Sequence, residues 1–405
     1  MTAETVDVAV VGGGPAGAIA AMLLAREGRD VVLLERAPRW RWRACGVFAS
    51  PAGIAALRDV GVSTDALRAV AEPLAAMEVI SQRGTRFRLD YGGTGDLADS
   101  AVGFQRASLD PLLLDLARSA GADVRLGTAV ERIDIASAHA RLVIAGPEPG
   151  EVVARMVIGA DGLRSRVAGA ARVTRPAPLS PRAALTFHVA DTRARSRAGT
   201  PDARMFVFDH GYVGLAPVPG GLVNVGIVLG RPWFARLRQM GGPAVARAVL
   251  GALPDAGDRA LSAQEPVDHV AGITPLAQAV SRRAGSSWLL VGDASGFLDP
   301  FTGEGLHRAI VSARLAAEAV AGLLAGGAGA RLSDYDEAMR ARFGTKDLVS
   351  RIVQAFLGRP ALFEYAARRL ASRAQVRETM GLVIGDLAPA TRAIDPRYLA
   401  ALLAP

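Results

Sequence analysis

Apolar residues in the N-terminal part of the chain fall in two short continuous runs. The runs, at residues 6–11 and 30–34, are rich in valine and leucine, as in strands buried on both faces of a parallel sheet. Residues 15–28 between them begin with proline and end with glycine, which is typical of a helix. The pattern therefore predicts a strand, a helix and a second strand, joined in a βαβ unit.

Two further apolar runs, at 156–158 and 288–291, predict two more buried strands. Alternation of apolar and polar residues at 77–91 and within 183–231 predicts antiparallel strands of a different sheet. We therefore expect an α/β fold in which a Rossmann-like domain carries an inserted mixed β-sheet and C-terminal helices. A glycine-rich stretch at 92–95 follows no predicted strand and is assigned no nucleotide role. The other predicted elements are strands at 123–126 and 128–133 and helices at 51–60, 104–119, 233–253 and from 332 onward.

A Gly-x-Gly-x-x-Gly sequence joins the first predicted strand to its helix. Gly12 permits a tight turn, Gly14 lets a pyrophosphate approach the backbone, and Gly17 allows close packing of helix and strand. Pro15 suits a first helical turn. Glu35 ends the second strand, where a carboxylate can accept the hydroxyls of an adenosine ribose. The order predicts a dinucleotide site, against the alternative of a βαβ unit that binds nothing.

The net charge of +8 raises the question of anionic partners. Only one of the 47 basic residues is a lysine, Lys346, and the arginines are spread along the chain, so we expect no nucleic-acid partner. A single cysteine, Cys45, excludes an internal disulfide and any multi-cysteine metal site. The five histidines show no ligand spacing, and no metal is expected.

The hydrophobic pattern also bears on location. No uncharged apolar run approaches the roughly 20 residues of a spanning helix, and residues 1–6 are acidic rather than signal-like. These features predict a cytoplasmic protein without a transmembrane segment. The arginine-rich C-terminal helices would allow peripheral membrane contact, although an amphipathic cover over a core explains them equally. The sequence indicates no oligomeric state.

Three separated motifs carry a family resemblance. They are GGGPAG followed by Glu35, GADGLRS at 159–165 and GDASGFLDPFTGEG at 292–305. In this order they resemble FAD-dependent oxidoreductases of the p-hydroxybenzoate hydroxylase fold, particularly the branch with geranylgeranyl reductases, related hydroxylases and flavin halogenases. The resemblance covers about residues 5–325 and implies FAD as the cofactor, with NAD(P)H as electron donor.

The resemblance also implies a division into domains. The FAD-binding domain would comprise residues 1–75, 103–172 and 276–330. The substrate-binding sheet domain would comprise 76–102 and 173–275. Residues 331–405 would form a C-terminal helical segment that closes the cleft between them.

The same likeness implies roles for individual residues. Gly303 to Leu306 begin a helix whose amides can stabilise negative charge on reduced flavin. Asp161 would contact both FAD and NAD(P)H, or would simply cap a helix. Arg43 either meets a phosphate or is a solvated surface arginine. The full set of expected cofactor-binding residues is Gly12, Gly14, Pro15, Ala16, Gly17, Glu35, Arg36, Arg43, Arg106, Asp161, Asp293, Gly303, Gly305 and Leu306.

Flavin supplies the demanding chemistry, so a catalytic triad is unnecessary. Candidates for the reacting face are Cys45, His210, Tyr212 and the carbonyl of Pro300. Three of the four have a plainer interpretation: Cys45 and Tyr212 as packing residues, and His210 as an exposed residue of a predicted hairpin turn.

Two departures from the family patterns bear on activity. Prenyl reductases carry an aromatic-x-Trp-x-Phe-Pro strand, and in that register this chain has Gly214 and Ala216, which widens the pocket and argues against prenyl reduction. Halogenases use a lysine and a Trp-x-Trp-x-Ile-Pro motif. Here the sequence WRWR at 40–43 is not followed by Ile-Pro, and the single lysine, Lys346, lies in the C-terminal helices, so both features argue against halogenation.

We therefore expect a monooxygenase, a hydroxylase that uses FAD, NAD(P)H and O2 on a hydrophobic aromatic or phenolic small molecule of secondary metabolism. The alternative is an FAD-dependent reductase of carbon–carbon double bonds in a prenyl, lipid or polyketide substrate. Less favoured are a flavin-dependent halogenase and a non-catalytic binding protein with the FAD fold.

Overall fold

A computed structural model describes residues 3–91, 96–97, 100–177, 181–191, 199–326 and 331–404. The glycine-rich stretch at 92–95 lies outside these residues. Within them the strands are β1 (Glu4–Val11), β2 (Val31–Glu35), β3 (Phe48–Ala49), β4 (Ala71–Leu74), β5 (Ala76–Ile80), β6 (Arg86–Asp90), β7 (Ala101–Phe104), β8 (Asp123–Leu126), β9 (Ala129–Ile135), β10 (Ala140–Ala145), β11 (Gly150–Gly159), β12 (Thr174–Arg175), β13 (Arg182–Ala190), β14 (Ala203–Phe208), β15 (Gly211–Val218), β16 (Leu222–Gly230), β17 (Ala271–Ile273), β18 (Ala279–Val280) and β19 (Trp288–Leu290).

The helices confirm the predicted alternation and the helical C-terminal part. In chain order they are α1 (Pro15–Arg26), α2 (Pro51–Asp59), α3 (Thr64–Val70), α4 (Arg106–Ser119), α5 (Arg166–Ala170), α6 (Phe234–Met240), α7 (Gly242–Gly251), α8 (Ala256–Arg259), α9 (Gly305–Leu324), α10 (Leu332–Leu357), α11 (Pro360–Ser372), α12 (Ala374–Ile384) and α13 (Pro396–Leu403).

The first sheet has the strand order β8-β2-β1-β11-β10-β9, and β19 also pairs with β11. β1 is parallel to both β2 and β11, and β11 is parallel to β19. One face packs on α1, α4 and α9, and the other on a smaller cluster that includes α5. The carboxyl ends of β1, β11 and β19 therefore lie side by side at one edge of the sheet.

The apolar run at 156–158 predicted a shorter strand than β11, which is ten residues long. The strand begins at Gly150, and its first half pairs antiparallel with β10 before its last residues pair with β19. Polar residues alternate in that first half, so the apolar run marks only the part that is buried in the parallel region.

The second sheet has the order β17-β13-β16-β15-β14-β5-β6. It contains the strands that the alternating patterns at 77–91 and 183–231 predicted, together with β17. Val213 and Leu215 of β15 point into a cluster covered by α7. The opposite face carries Tyr212, Gly214 and Ala216, and we call it the groove face. One part of it, around Tyr212, packs on residues of α10 to α13. A three-stranded sheet of β3, β7 and β4 and an antiparallel pair of β12 and β18, none of which the sequence predicted, complete the strands.

Among the described residues, no helix has both the length and the apolar character needed to cross a membrane.

Candidate functional site

The three glycine-containing loops leave neighbouring strand ends. Val11 pairs with Gly159, and Gly159 pairs with Leu290. Two backbone hydrogen bonds continue the alignment, from the Ala160 amide to the Val11 carbonyl at 2.8 Å and from the Val291 amide to the Gly159 carbonyl at 2.9 Å. The loops therefore begin side by side, as the motif order predicted.

Close backbone packing explains two of the glycines. A Cβ on Gly12, whose φ is +107°, would lie 2.5 Å from the carbonyl oxygen of Ala160, and a Cβ on Gly17 would lie 1.9 Å from the carbonyl oxygen of Gly12. Gly14 differs, because a Cβ there would meet nothing within 4 Å. The loop is packed on one side and open at Gly14, which fits a diphosphate resting against the helix N-terminus.

Glu35 lies at the end of β2 with only 5% of its surface exposed. Its carboxylate accepts hydrogen bonds from the amides of Gly13 at 2.8 Å and Ala37 at 3.0 Å. Because a carboxylate offers about four acceptor positions, capacity remains for ribose hydroxyls. Arg43 lies 4.0 Å from Glu35 and is partly exposed, and Arg36 is exposed. A phosphate contact by either arginine stays a prediction.

Arg106, at the start of α4, is buried and fully engaged. Its guanidinium donates to both carboxylate oxygens of Asp110, at 2.6 and 2.9 Å, and to the carbonyl of Gly46 at 2.7 Å. It therefore fixes the loop that carries Cys45. Burial raises the pKa of the Cys45 thiol, and the nearby charge of Arg106 only partly opposes this effect. Cys45 is a protonated thiol at neutral pH, in contact with the cluster that contains Ala216 of the groove face.

The carboxyl group of Asp293 follows β19 and lies near this arginine. Burial raises the pKa of Asp293 to about 6, although the positive charges of Arg106 and Arg308 act in the opposite direction. A buried carboxylate is poorly solvated, so hydrogen bonds from the hydroxyl groups of a ribityl chain would stabilise it.

This pKa predicts a pH-dependent stability of the apoprotein. The folded-state pKa is about 6 and the usual value is 3.8, so the folded protein holds the proton more tightly. Burial of the ionised Asp293 carboxylate costs nothing below pH 3.8, where the group is protonated in both states, and its full amount above about pH 6. The free energy of unfolding therefore falls as pH rises between these two values. Asp293→Asn should remove this loss, about 3 kcal/mol, measured by urea unfolding at both ends of the range. Asp59→Asn, at an exposed position, should retain it; an unchanged pH slope in Asp293→Asn would contradict the assignment.

Asp161 caps a helix in this structure. Its Oδ2 accepts from the amide of Arg166 at 2.6 Å, and Ser165 caps the same helix, α5, by accepting from Ala168 at 3.0 Å. Oδ1 is buried without a hydrogen-bond partner among the described residues, and burial raises the pKa of the carboxyl group. Asp161 therefore caps a helix, as the alternative interpretation of its role predicted. Its contact with FAD or NAD(P)H stays a prediction.

Asp299 joins the third loop to the second sheet. It accepts hydrogen bonds from the Tyr212 hydroxyl at 2.6 Å and from Arg182 at 2.6 Å, and its Oδ1 also accepts from the amide of Phe301 at 3.0 Å. Burial and the charge of Asp299 raise the pKa of Tyr212, so the phenol stays protonated. Tyr212 thus anchors the groove face to the loop, and neither Asp299 nor Arg182 was expected from the sequence.

The remaining candidates differ in position. The Pro300 carbonyl accepts from the Gly303 amide at 2.9 Å within the turn that leads into α9. His210 has φ +60° and a side chain that is 48% exposed, beside Asp209. This geometry agrees with the exposed-turn interpretation of His210 and links it to none of the three loops. Among the described residues, no group of three metal-ligating side chains is close enough to hold a metal ion.

The groove face has a strip without side chains. Gly214 of β15 lies directly opposite Gly226 of β16, and both are partly exposed. A Cβ on Gly226 would meet only the Gly214 carbonyl oxygen, at 3.9 Å, and one on Gly214 would meet the side chain of Met205 at 3.7 Å. On one side Tyr212 packs edge-on against Phe301. The face is therefore open between these two glycines, and on the Tyr212 side it contacts the loop that follows β19.

Comparisons with known proteins show the family of the chain. Residues 5–350 match the model of a family described as FAD binding domain. The chain is 30% identical over 329 residues to menaquinone reductase of Mycolicibacterium smegmatis, covering 77% of this chain and 75% of that protein. It is 31% identical over 325 residues to digeranylgeranylglycerophospholipid reductase 1 of Methanopyrus kandleri, covering 77% and 79% respectively.

A solved structure extends the likeness to nearly the whole chain. A flavoprotein/dehydrogenase from Cytophaga hutchinsonii superposes with a TM-score of 0.82 and 20% identity, covering 96% of this chain and 95% of that one. At this identity the likeness shows the fold alone.

Proposed function

Since this chain belongs to the FAD binding domain family and is an FAD-dependent oxidoreductase, we propose that it reduces carbon–carbon double bonds in the isoprenoid chain of a lipid or quinone. The observation that carries the proposal is the similarity, over three quarters of both chains, to reductases whose names specify such molecules. The sequence favoured hydroxylation instead. These relatives favour the alternative, reduction without incorporation of oxygen.

The residues of the three loops fit the proposed cofactor. In this proposal the diphosphate would lie against Gly14, where a Cβ would meet nothing within 4 Å, Glu35 would accept the hydroxyls of the adenosine ribose, and Asp293 would bind the ribityl chain. The first amides of α9, at Gly305 and Leu306, would face the pyrimidine edge. When bound there, FAD supplies two-electron chemistry, for which we propose NAD(P)H as the source.

The groove face suits a long apolar substrate. At Gly214 and Gly226 this face has free space, and Gly214 stands where the family motif has an aromatic ring. A prenyl chain could lie across the two glycines, so the lack of the aromatic motif is compatible with such a substrate. Cys45 packs against the cluster that contains Ala216 of this face, and its thiol carries a proton at neutral pH, so we propose it as the proton donor to a substrate carbon, although the pKa that burial raises makes it a weaker acid.

Filling the strip should impair long substrates selectively. We expect Gly214→Phe to displace at least two methylene groups of a prenyl chain, which at about 0.8 kcal/mol each raises KM about tenfold. FAD binding and turnover of a short prenyl analogue should be unchanged, since that analogue need not cross the strip. Equal losses for long and short substrates would contradict this placement of the groove.

The proposed function is tested by following bound FAD without oxygen. Reduced holoenzyme is mixed anaerobically with menaquinone, a digeranylgeranyl lipid or its fully saturated analogue, and reoxidation is recorded by absorbance. We expect reoxidation with an unsaturated isoprenoid and none with the saturated lipid. Because menaquinone can also accept electrons at its ring, the saturated-chain quinone serves as its matched control. Reoxidation by O2 alone, with no response to any isoprenoid, would favour the monooxygenase instead.

A further inference from the structure

A buried ion cluster lies directly behind the start of α9. The Lys346 ammonium group, only 6% exposed, lies 2.7 Å from Asp386 Oδ1 and 3.2 Å from Glu304 Oε1. Asp386 Oδ2 in turn accepts from His307 Nδ1 at 3.0 Å and from the Ser50 hydroxyl at 3.0 Å. The cluster thus joins α9, α10, the cap of α2 and the residues after α12.

Asp386 is the centre of this cluster. It follows α12 with φ +60°, and it gathers donors from three separate parts of the chain. Burial opposes its ionisation, but the hydrogen bond from His307 and the charge of Lys346 outweigh burial and hold the pKa of Asp386 below its usual range. The C-terminal segment therefore places a permanent negative charge against the N-terminus of α9.

Glu304 is the member nearest to the proposed flavin position. It occupies the N-cap position of α9 between Gly303 and Gly305, and among the described residues its buried Oε1 has only the Lys346 ammonium group, 3.2 Å away, as a partner. Burial raises the pKa of this carboxyl group, and Lys346 acts against that effect. Glu304 therefore depends on the charge of Lys346, the buried cation nearest to it.

A second ion pair, formed by Arg308 and Asp347, lies next to the cluster. Arg308 of α9 bonds to Asp347 of α10 and lies 3.7 Å from Glu304. The formal charges of Glu304, Lys346, Asp386, Arg308 and Asp347 sum to −1. Removing either partner of the Lys346–Asp386 pair therefore changes the field at this helix start in a known direction.

We propose that Lys346 and Asp386 are positioning residues that set the reduction potential of the bound FAD through the charge behind α9. The inference rests on the proposed placement of FAD at Gly303 to Leu306. Two-electron reduction with uptake of one proton adds one negative charge to the cofactor. A nearby positive charge stabilises the reduced form and a negative charge destabilises it.

The two partners should shift the potential in opposite directions. Asp386→Asn removes a negative charge and should raise the potential, whereas Lys346→Met removes a positive charge and should lower it. A buried charge at this range changes the ratio of affinities for reduced and oxidised FAD about tenfold, which for a two-electron couple corresponds to about 30 mV. Loss of packing alone has no reason to produce shifts of opposite sign.

The experiment measures the midpoint potential of the holoenzyme by equilibration with redox dyes, without substrate. Lys346→Arg keeps the charge and should match the wild type, which preserves the test if Lys346→Met folds poorly. Asp395→Ala, which removes the cap of α13, controls for general weakening of the C-terminal segment and should not shift the potential. Shifts of the same sign, or no shift in Asp386→Asn, would overturn the inference. Failure of the wild type to bind FAD would instead contradict the proposed function.

Discussion

Replacing Gly14 with valine is expected to weaken FAD binding at least about 100-fold while leaving the apoprotein as stable as before. Gly14 has φ −76° and ψ 179°, which any residue adopts, and a Cβ would meet nothing within 4 Å. The valine therefore causes no clash in the apoprotein. It occupies the space through which the diphosphate would approach the amides of α1, so the loss falls on the cofactor alone.

The measurement is a fluorescence titration of apoprotein with FAD, together with urea unfolding of the same samples. Gly344→Val is the matched control, because Gly344 lies exposed in α10 and its Cβ would also meet nothing within 4 Å. It should leave both quantities unchanged. If Gly14→Val bound FAD like the wild type, the diphosphate could not lie against this loop.

Replacing Cys45 with alanine is expected to lower kcat about 100-fold with little change in FAD affinity. Reduction of a double bond adds two electrons and two protons to the substrate, so one proton must come from an acid near the groove. The Cys45 thiol is protonated at neutral pH, and Cys45 packs against the cluster that contains Ala216 of the groove face. Loss of a general acid typically lowers the rate 100-fold or more.

Serine at this position provides the matched comparison. Cys45→Ser keeps a similar size and a hydroxyl hydrogen, but an alcohol is a much weaker acid than a thiol, so it should also lose most of the rate. The split between kcat and KM separates the roles, since a packing residue would alter KM or FAD affinity instead. Full kcat in Cys45→Ala would show that the proton comes from elsewhere.

The cofactor site was predictable because its signals are local. Each loop follows a buried strand and contains its own glycines and acid, and parallel pairing through β1, β11 and β19 brings the strand ends together. The second sheet was equally visible in the alternation of residues 183–231. The alternative interpretation of His210 was also readable, since a histidine before glycine between two strands suits a turn.

Contacts between distant segments were not predictable. Asp299 and Arg182 are separated by 117 residues, and no periodic pattern relates them. Lys346 stood out in the sequence only as the single lysine, and its engagement with Asp386 and Glu304 depends on how α10 and the residues after α12 pack against α9. Such ion pairs are set by tertiary packing, which a single sequence does not display.

The preference for hydroxylation came from two side chains. Gly214 and Ala216 stand where prenyl reductases have large rings, which in the sequence argues against a prenyl substrate. In the structure Gly214 lies opposite another glycine, Gly226. An open strip of this kind accommodates a flexible chain, so the same residues are compatible with the reductase that the relatives favour.

The measurement that tests the reductase proposal most directly is the mass of the product formed from an unsaturated isoprenoid lipid under labelled oxygen, with NADPH as donor. A reductase should yield a product that has gained two hydrogen atoms and no labelled oxygen, in the same amount when oxygen is removed. A product that carries one atom of labelled oxygen, and that disappears without oxygen, would contradict the reductase proposal.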